Sequence, residues 1–151
     1  FGNNNQLTLG EVLLNPTRIY VHPMIPLFEA ARENKTPCDY KDIKGIAHIT
    51  GGGLSNLLRL HPSLGYHIDN PLPSLPEFDW LQKTGGISDY EMARTFNLGM
   101  GLCVVVSEEC VNSILSWLEE SGVNGCAVVG HVRDNGHRVT HINPDICFEH
   151  Y

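Results

Sequence analysis

A chain of 151 residues, 42% hydrophobic and 18% charged, has the composition of one folded soluble domain with enough interior to need no disulfide or metal staple. A formal net charge of −7 excludes the basic stripe that nucleic acid demands, while one or two arginines beside a turn still suffice for a small phosphate. No apolar run approaches the roughly 20 residues of a membrane helix, so no membrane partner is expected.

The opening Phe1-Gly2-Asn3-Asn4-Asn5-Gln6 has neither a basic n-region nor an apolar h-region, and reads as a chain that begins mid-protein. From Leu7 to Tyr20 apolar residues recur; Pro16 restricts Asn15 to extended or turn geometry, and Ile19, Tyr20 and Val21 favour a strand or a helix start. Leu27, Ala30 and Ala31 predict a helix over Pro26 to Lys35, stopped by Thr36-Pro37. A strand is expected over Ile43 to Thr50, broken by Gly51-Gly52-Gly53, with a helix from Leu54 to Leu60 showing Leu54, Leu57 and Leu58 on one face. Gly65 to Asp69 reads as a short strand and Pro71 to Pro76 as a loop. Helices follow over Glu77 to Lys83, halted by Gly85-Gly86, and over Ser88 to Thr95, where Ser88 and Glu91 have capping-box spacing.

Leu102 to Val106 is expected to be a buried strand. Ser107 should cap the next helix, with Glu108 and Glu109 in its first turn, an apolar stripe of Cys110, Val111, Ile114, Leu115 and Leu118, and Gly122 at its end. Three β-like stretches close the chain: Cys126 to Arg133, Arg138 to Ile142 and Ile146 to Phe148, the first two joined by a hairpin signal at Asp134-Asn135-Gly136. The order predicts an α+β fold, with one mixed β-sheet covered by helices. Five cysteines without a CxxC pair suit reduced thiols in a cytosol, Cys103, Cys110 and Cys126 packing as small hydrophobes.

Two segments carry chemistry. In Ala47-His48-Ile49-Thr50-Gly51-Gly52-Gly53-Leu54-Ser55-Asn56-Leu57-Leu58-Arg59, glycines let backbone approach a ligand, and the strand-to-helix turn can aim N–H groups at an anion. The spacing matches neither standard nucleotide loop, and a glycine triplet also serves as a plain turn. His48 and Thr50 set an imidazole and a hydroxyl at the lip, although His48 on a strand also reads as a core histidine. In Glu91 to Leu102, Arg94 can fork onto a phosphate and Asn97 offers donor and acceptor; the plain alternative is a helix-ending turn with Arg94 paired to a surface carboxylate. His131, His137 and His141 invite a metal, but alternation would send them to different faces and no zinc spacing appears; no metal is expected there. Phe78, Trp80 and Leu81 read as core.

Four stretches together resemble the C-terminal domain of the aminoimidazole ribonucleotide synthetase (phosphoribosylformylglycinamidine cyclo-ligase) family. They are Leu13-Leu14-Asn15-Pro16-Thr17-Arg18-Ile19-Tyr20, Ala47 to Gly53 with Asn56 and Arg59, Trp80-Leu81-Gln82, and Glu91 through Gly101, in the family's order and intervals from about Leu13 to Arg133. The resemblance implies an ATP-dependent ring closure in purine biosynthesis that turns formylglycinamidine ribonucleotide into aminoimidazole ribonucleotide. His48 would be catalytic, and Thr50, Gly51, Gly52, Gly53, Asn56, Arg59, Arg94 and Asn97 would bind substrate or phosphate.

The family's N-terminal half, with its acidic Mg2+-ATP ligands, its lysine and its Ser-Asn-Gly segment, has no counterpart here. ATP and Mg2+ would be held mostly by that absent half, the chain would be inactive alone, and a homodimer would form mainly through the missing part. Leu58 stands where relatives usually carry Pro, and Leu72 departs from a frequent Trp. The related formylglycinamidine ribonucleotide synthetase, selenophosphate synthetase and thiamine-phosphate kinase share glycine-rich turns, and a ligand-binding module without chemistry is the alternative from another class.

Overall fold

A computed structural model describes residues 7–35 and 38–151. The first helix, α1 (Leu9–Leu13), was not among the expected elements, although its signal is written in the chain. Thr8 and Glu11 form a reciprocal capping box that satisfies two of the N–H groups a helix start leaves orphaned. Helix α2 (Val21–Arg32) begins five residues before the expected Pro26 and carries that proline inside it. Pro26 removes one backbone hydrogen bond, and the burial of Met24, Leu27 and Ala31 offsets the loss. The expected stop at Thr36-Pro37 lies outside the described residues.

Strand β1 (Ile43–His48) pairs antiparallel with β3 (Leu102–Val106) in a two-stranded ribbon. Strand β2 (Gly65–Ile68) lies in a separate four-stranded sheet with β4 (Gly130–Arg133), β5 (Val139–His141) and β6 (Cys147–Phe148), in the order β4-β2-β5-β6. The α+β class holds and the larger sheet is mixed, since β2 runs parallel to β5 and antiparallel to β4. The expected single sheet is instead two.

The expected hairpin at Asp134-Asn135-Gly136 is also corrected, because β2 sits between β4 and β5. Their connection crosses the start of β2 and packs on Gly65, whose missing Cβ leaves room for the Asn135 side chain and the Gly136 carbonyl. The Tyr66 N–H donates to the Arg138 carbonyl at 2.9 Å. A turn signal specifies a reversal, not which strand fills the gap between its arms.

The ribbon divides two cores. One holds Ala47, Ile49, Leu54, Leu57, Leu58, Tyr66, Ile68, Ala93, Met100, Cys103, Val139, Ile146 and Phe148. The other joins Met24 and Leu27 of α2 to Cys110 and to Ile114 and Leu118 of α5 (Val111–Glu120). Alternation along β3 explains the division: Cys103 packs with the first core, Leu102, Val104 and Val106 with the second. Burial pushes the Cys103 thiol up to about 11, so it stays protonated and inert. Cys126 is exposed, contrary to expectation.

Helices α3 (Pro76–Gly85) and α4 (Asp89–Thr95) follow the sequence closely. Gly86 ends α3 in the left-handed region, and the Ser88 hydroxyl accepts from the Glu91 N–H at 3.2 Å. The expected core role of α3 fails, since none of its residues is buried and Trp80 is exposed.

Ser107 does not cap a helix with its side chain. A 3-10 turn over Glu108–Cys110 intervenes before α5, and the Ser107 hydroxyl donates to Asp42 Oδ1 at 3.0 Å while the Ser107 N–H donates to the Asp42 carbonyl at 2.9 Å. This hydroxyl above all, with attraction from Lys44 and Lys41, holds the Asp42 carboxyl below the usual carboxylate range. A carboxyl lowered in the folded state adds stability above its unfolded pKa of about 3.9, and the contribution is lost as pH falls through the folded value. Ser107→Ala should therefore flatten the stability-versus-pH profile below about pH 4. Denaturation midpoints at pH 3 and pH 6 check this, and an unchanged slope would contradict it.

Candidate functional site

The site is built from the end of β1 outward. Alternation buries Ala47 and Ile49 and leaves His48 and Thr50 exposed on the same side. His48 is therefore not a core histidine. The chain then reverses: the Gly53 N–H donates to the Thr50 carbonyl at 2.9 Å, closing a four-residue turn. Gly52, at φ 100° and ψ −10°, takes the third position of a type II turn, which demands a positive φ.

The expected helix after the turn is a 3-10 helix over Gly53–Arg59, buried from Gly53 to Leu58 and not on one face only. Ser55 and Asn56 are the buried polar side chains here, and both are bound to the turn. The Ser55 hydroxyl donates to the Gly52 carbonyl at 2.7 Å. The Asn56 amide donates to the Gly53 carbonyl at 2.7 Å and lies 3.3 Å and 3.4 Å from the carbonyls of Gly51 and Thr50. Asn56 thus draws the carbonyls of Thr50, Gly51 and Gly53 toward one buried amide nitrogen. Its oxygen accepts from Arg59 Nη1 at 3.1 Å.

Helix α4 abuts the same turn. A Cβ placed on Gly53 would meet the carbonyl of Ala93 and lie 2.8 Å from the Arg94 carbonyl carbon. That backbone contact brings the two sequence-predicted segments together. Arg94 follows from it, with Nη1 at 3.5 Å from the His150 carbonyl and its guanidinium 5.9 Å from the Phe148 ring. Arg59 lies over the Tyr151 ring at 4.7 Å. Among the described residues neither guanidinium has a carboxylate partner. The expected surface ion pair of Arg94 is absent there, and both guanidiniums, drawn to His150 and Tyr151, keep their positive charge without a neutralising carboxylate.

Beyond α4 a second turn closes through the Met100 N–H and the Asn97 carbonyl at 2.9 Å. Asn97 Oδ1 accepts from the Gly99 N–H at 3.0 Å, so its acceptor is occupied inside that turn. The Ile49 N–H donates to the Gly101 carbonyl at 2.9 Å, which returns the segment to the edge of the first turn. Tyr20 completes the corner: its hydroxyl fills the space beside Gly101, and its ring meets His48 edge-on, centroids 5.7 Å apart at 69°. Sequence reasoning gave no site role to Tyr20, Ser55 or Tyr151. Tyr20 lay in a quoted motif, but only the fold carries it to His48.

The three histidines weighed as metal ligands each have a partner of their own. His137 Nε2 donates to the Leu58 carbonyl at 2.9 Å, His131 Nε2 lies 3.4 Å from Asp69 Oδ2, and His141 Nδ1 accepts from the Asn143 N–H at 3.0 Å. Burial, then the neighbouring His67, lowers the His141 pKa. Among the described residues no three His, Cys, Asp or Glu side chains are grouped to hold a metal. No helix among them is long and apolar enough to cross a membrane.

Residues 2–143 match the family described as AIR synthase related protein, C-terminal domain. The chain is 40% identical over 136 residues to a phosphoribosylformylglycinamidine cyclo-ligase of Methanocaldococcus jannaschii, covering 87% of this chain and 36% of that protein. It is 45% identical over 118 residues to the protein of that name from Nitrosococcus oceani, covering 76% and 30%. It is 40% identical over 134 residues to the trifunctional purine biosynthetic protein adenosine-3 of Bos taurus, covering 87% and 12%. The chain spans about a third of the length of the cyclo-ligases it matches. With the glycine turn and the Arg94 segment both inside the matched span, the chain belongs to the AIR synthase-related C-terminal domain family.

Proposed function

We propose that this chain is the C-terminal domain of an ATP-dependent cyclo-ligase that converts formylglycinamidine ribonucleotide to aminoimidazole ribonucleotide in purine biosynthesis. The observation that carries the reading is the backbone contact of Gly53 with α4, which sets the Arg94 segment against the glycine turn that follows His48 and Thr50 and precedes Arg59. Two guanidiniums without carboxylate partners, a hydroxyl and a turn that lets backbone come close suit a phosphoryl group. In the proposed reaction the γ-phosphoryl of ATP passes to the formyl oxygen with ADP as the leaving group, the amidine nitrogen attacks the activated carbon and loses a proton, and phosphate leaves as the ring closes. Arg59 and Arg94 hold the anion, Thr50 orients it, and His48 moves a proton at the reacting nitrogen or oxygen.

The site's donors suit an anion and not a cation such as Mg2+. In the proposed enzyme that ion and most nucleotide contacts fall to a region outside this chain, which covers 36% of the Methanocaldococcus jannaschii relative. An N-terminal domain of the same polypeptide is the proposed partner, in a cytoplasmic homodimer. Support comes from the exposed apolar side chains Leu13, Leu14, Ile19 and Val21, which run from the end of α1 to the first residue of α2. In the full-length enzyme, His48→Ala should lower turnover about 100-fold with little change in melting temperature. Ring closure assayed on folded variant settles it, and wild-type turnover would remove His48 from the mechanism.

A further inference from the structure

We infer that Tyr151 is a positioning residue for Arg59, holding its guanidinium beside the glycine turn in readiness for a phosphoryl anion. The inference rests on the anion-site reading above, and concerns a residue outside the stretch matched to the family, residues 2–143. Four residues form a closed ring of contacts. A Cβ on Gly52 would lie 3.1 Å from Tyr151 Cε2 and 3.3 Å from Asn56 Nδ2, so the tyrosine ring rests directly on the turn. Asn56 Oδ1 accepts from Arg59 Nη1 at 3.1 Å, and Arg59 stacks on the Tyr151 ring at 4.7 Å with Nη1 at 3.4 Å from the phenol oxygen.

Arg59 itself is exposed. An exposed arginine ordinarily samples many rotamers, and each must be given up on binding. Here an amide oxygen fixes Nη1 in the guanidinium plane and an aromatic face covers one side of that plane. The ring can rest there because residue 52 has no side chain. The segment that carries the ring leaves Phe148, buried on β6, two residues before His150, whose carbonyl meets Arg94. The same short segment therefore touches both cations of the site.

The test is calorimetric titration of this chain with inorganic pyrophosphate, together with side-chain NMR of Arg59. Tyr151→Ala should weaken binding about fivefold, and Tyr151→Phe, which keeps the ring, should stay within about twofold of wild type. In an Arg59→Met background, Tyr151→Ala should have no further effect. Without ligand, the Arg59 δ-methylene protons should be shifted upfield by the ring in wild type and Tyr151→Phe and lose that shift in Tyr151→Ala. Equal binding by wild type and Tyr151→Ala overturns the positioning role while leaving the anion site intact. Tighter binding by Tyr151→Ala also overturns it, because the ring would then cover the site. Absence of pyrophosphate binding by every variant, with the ring-current shift present, rejects the anion-site reading and the positioning role with it.

Discussion

Gly53→Ala is expected to lower the melting temperature by about 10 °C. Two costs add at this position. Gly53 has φ +53°, a region that costs a side-chain-bearing residue about 1–2 kcal/mol. Its new Cβ would also fall on the Ala93 carbonyl and within 2.8 Å of the Ala93 and Arg94 carbonyl carbons. These are backbone atoms of a helix, so nothing can swing aside, and forced overpacking costs about 1–3 kcal/mol. A sum of about 2–5 kcal/mol, at about 3 °C per kcal/mol in a domain of this size, centres on about 10 °C.

Gly51 is the control, since a Cβ there meets nothing within 4 Å and its φ is not positive. Gly51→Ala should therefore melt within about 2 °C of wild type. Thermal denaturation of both variants separates packing from a general intolerance of the triplet. Equal melting of Gly53→Ala and wild type would mean that α4 does not rest on the turn, and the gathering of the arginines would lose its cause.

The sequence was legible where one physical signal decided one local outcome. Gly86 and Ser88 mark the end of α3 and the start of α4 because a left-handed cap and a hydroxyl acceptor act within a few residues. The alternation of β3 is similarly local, and so is the solvent-facing placement of Thr50 once β1 is known. The failures share a different cause. Asp134 to Gly136 announces a reversal, but β2, more than sixty residues away, occupies the place of a hairpin partner. Leu54 to Leu60 has the spacing of a one-faced helix, yet Leu54 to Leu58 are all buried against two sheets and α4, and the segment tightens into a 3-10 helix over Gly53–Arg59. Ser107 has the residue type of an N-cap, but a distant Asp42 takes its hydroxyl.

The candidate site shows the same division. Its glycines and arginines were visible, because each residue type carries its chemistry openly. The roles within it depended on contacts between distant residues. Asn56 was expected at a ligand, and in the fold it is 2% exposed with its amide nitrogen turned to three carbonyls. Tyr151 meets Arg59 across 92 positions of sequence, and no spacing rule reaches that far.

Asn56 supplies the sharper test of that internal role, through Asn56→Asp. The substitution keeps size and shape and replaces an N–H2 group by an oxygen. At 2.7 Å from the Gly53 carbonyl, and within 3.4 Å of two others, the new oxygen would face acceptors where the amide had donated. The carboxyl can escape only by taking a proton, which restores a donor to one carbonyl out of the three. Burial and carbonyl repulsion both raise its pKa in the folded state; Arg59, exposed and shared with the Tyr151 ring, opposes them weakly.

A carboxyl raised in the folded state contributes its relative stability below the unfolded pKa of about 3.9, and loses it as pH rises through the folded value. Asn56→Asp should therefore lie about 2–4 kcal/mol below wild type at pH 8, and the gap should narrow toward pH 4.5. Asn56→Ala leaves the same carbonyls without a partner but adds no titrating group, so its loss should be nearly independent of pH. Denaturant unfolding of the three proteins at both pH values distinguishes them. Parallel losses for the two variants would show that the new carboxyl does not face the carbonyls, and an Asn56→Asp protein as stable as wild type at pH 8 would show that the amide does not clamp the turn and would leave the glycine triplet to hold its shape unaided.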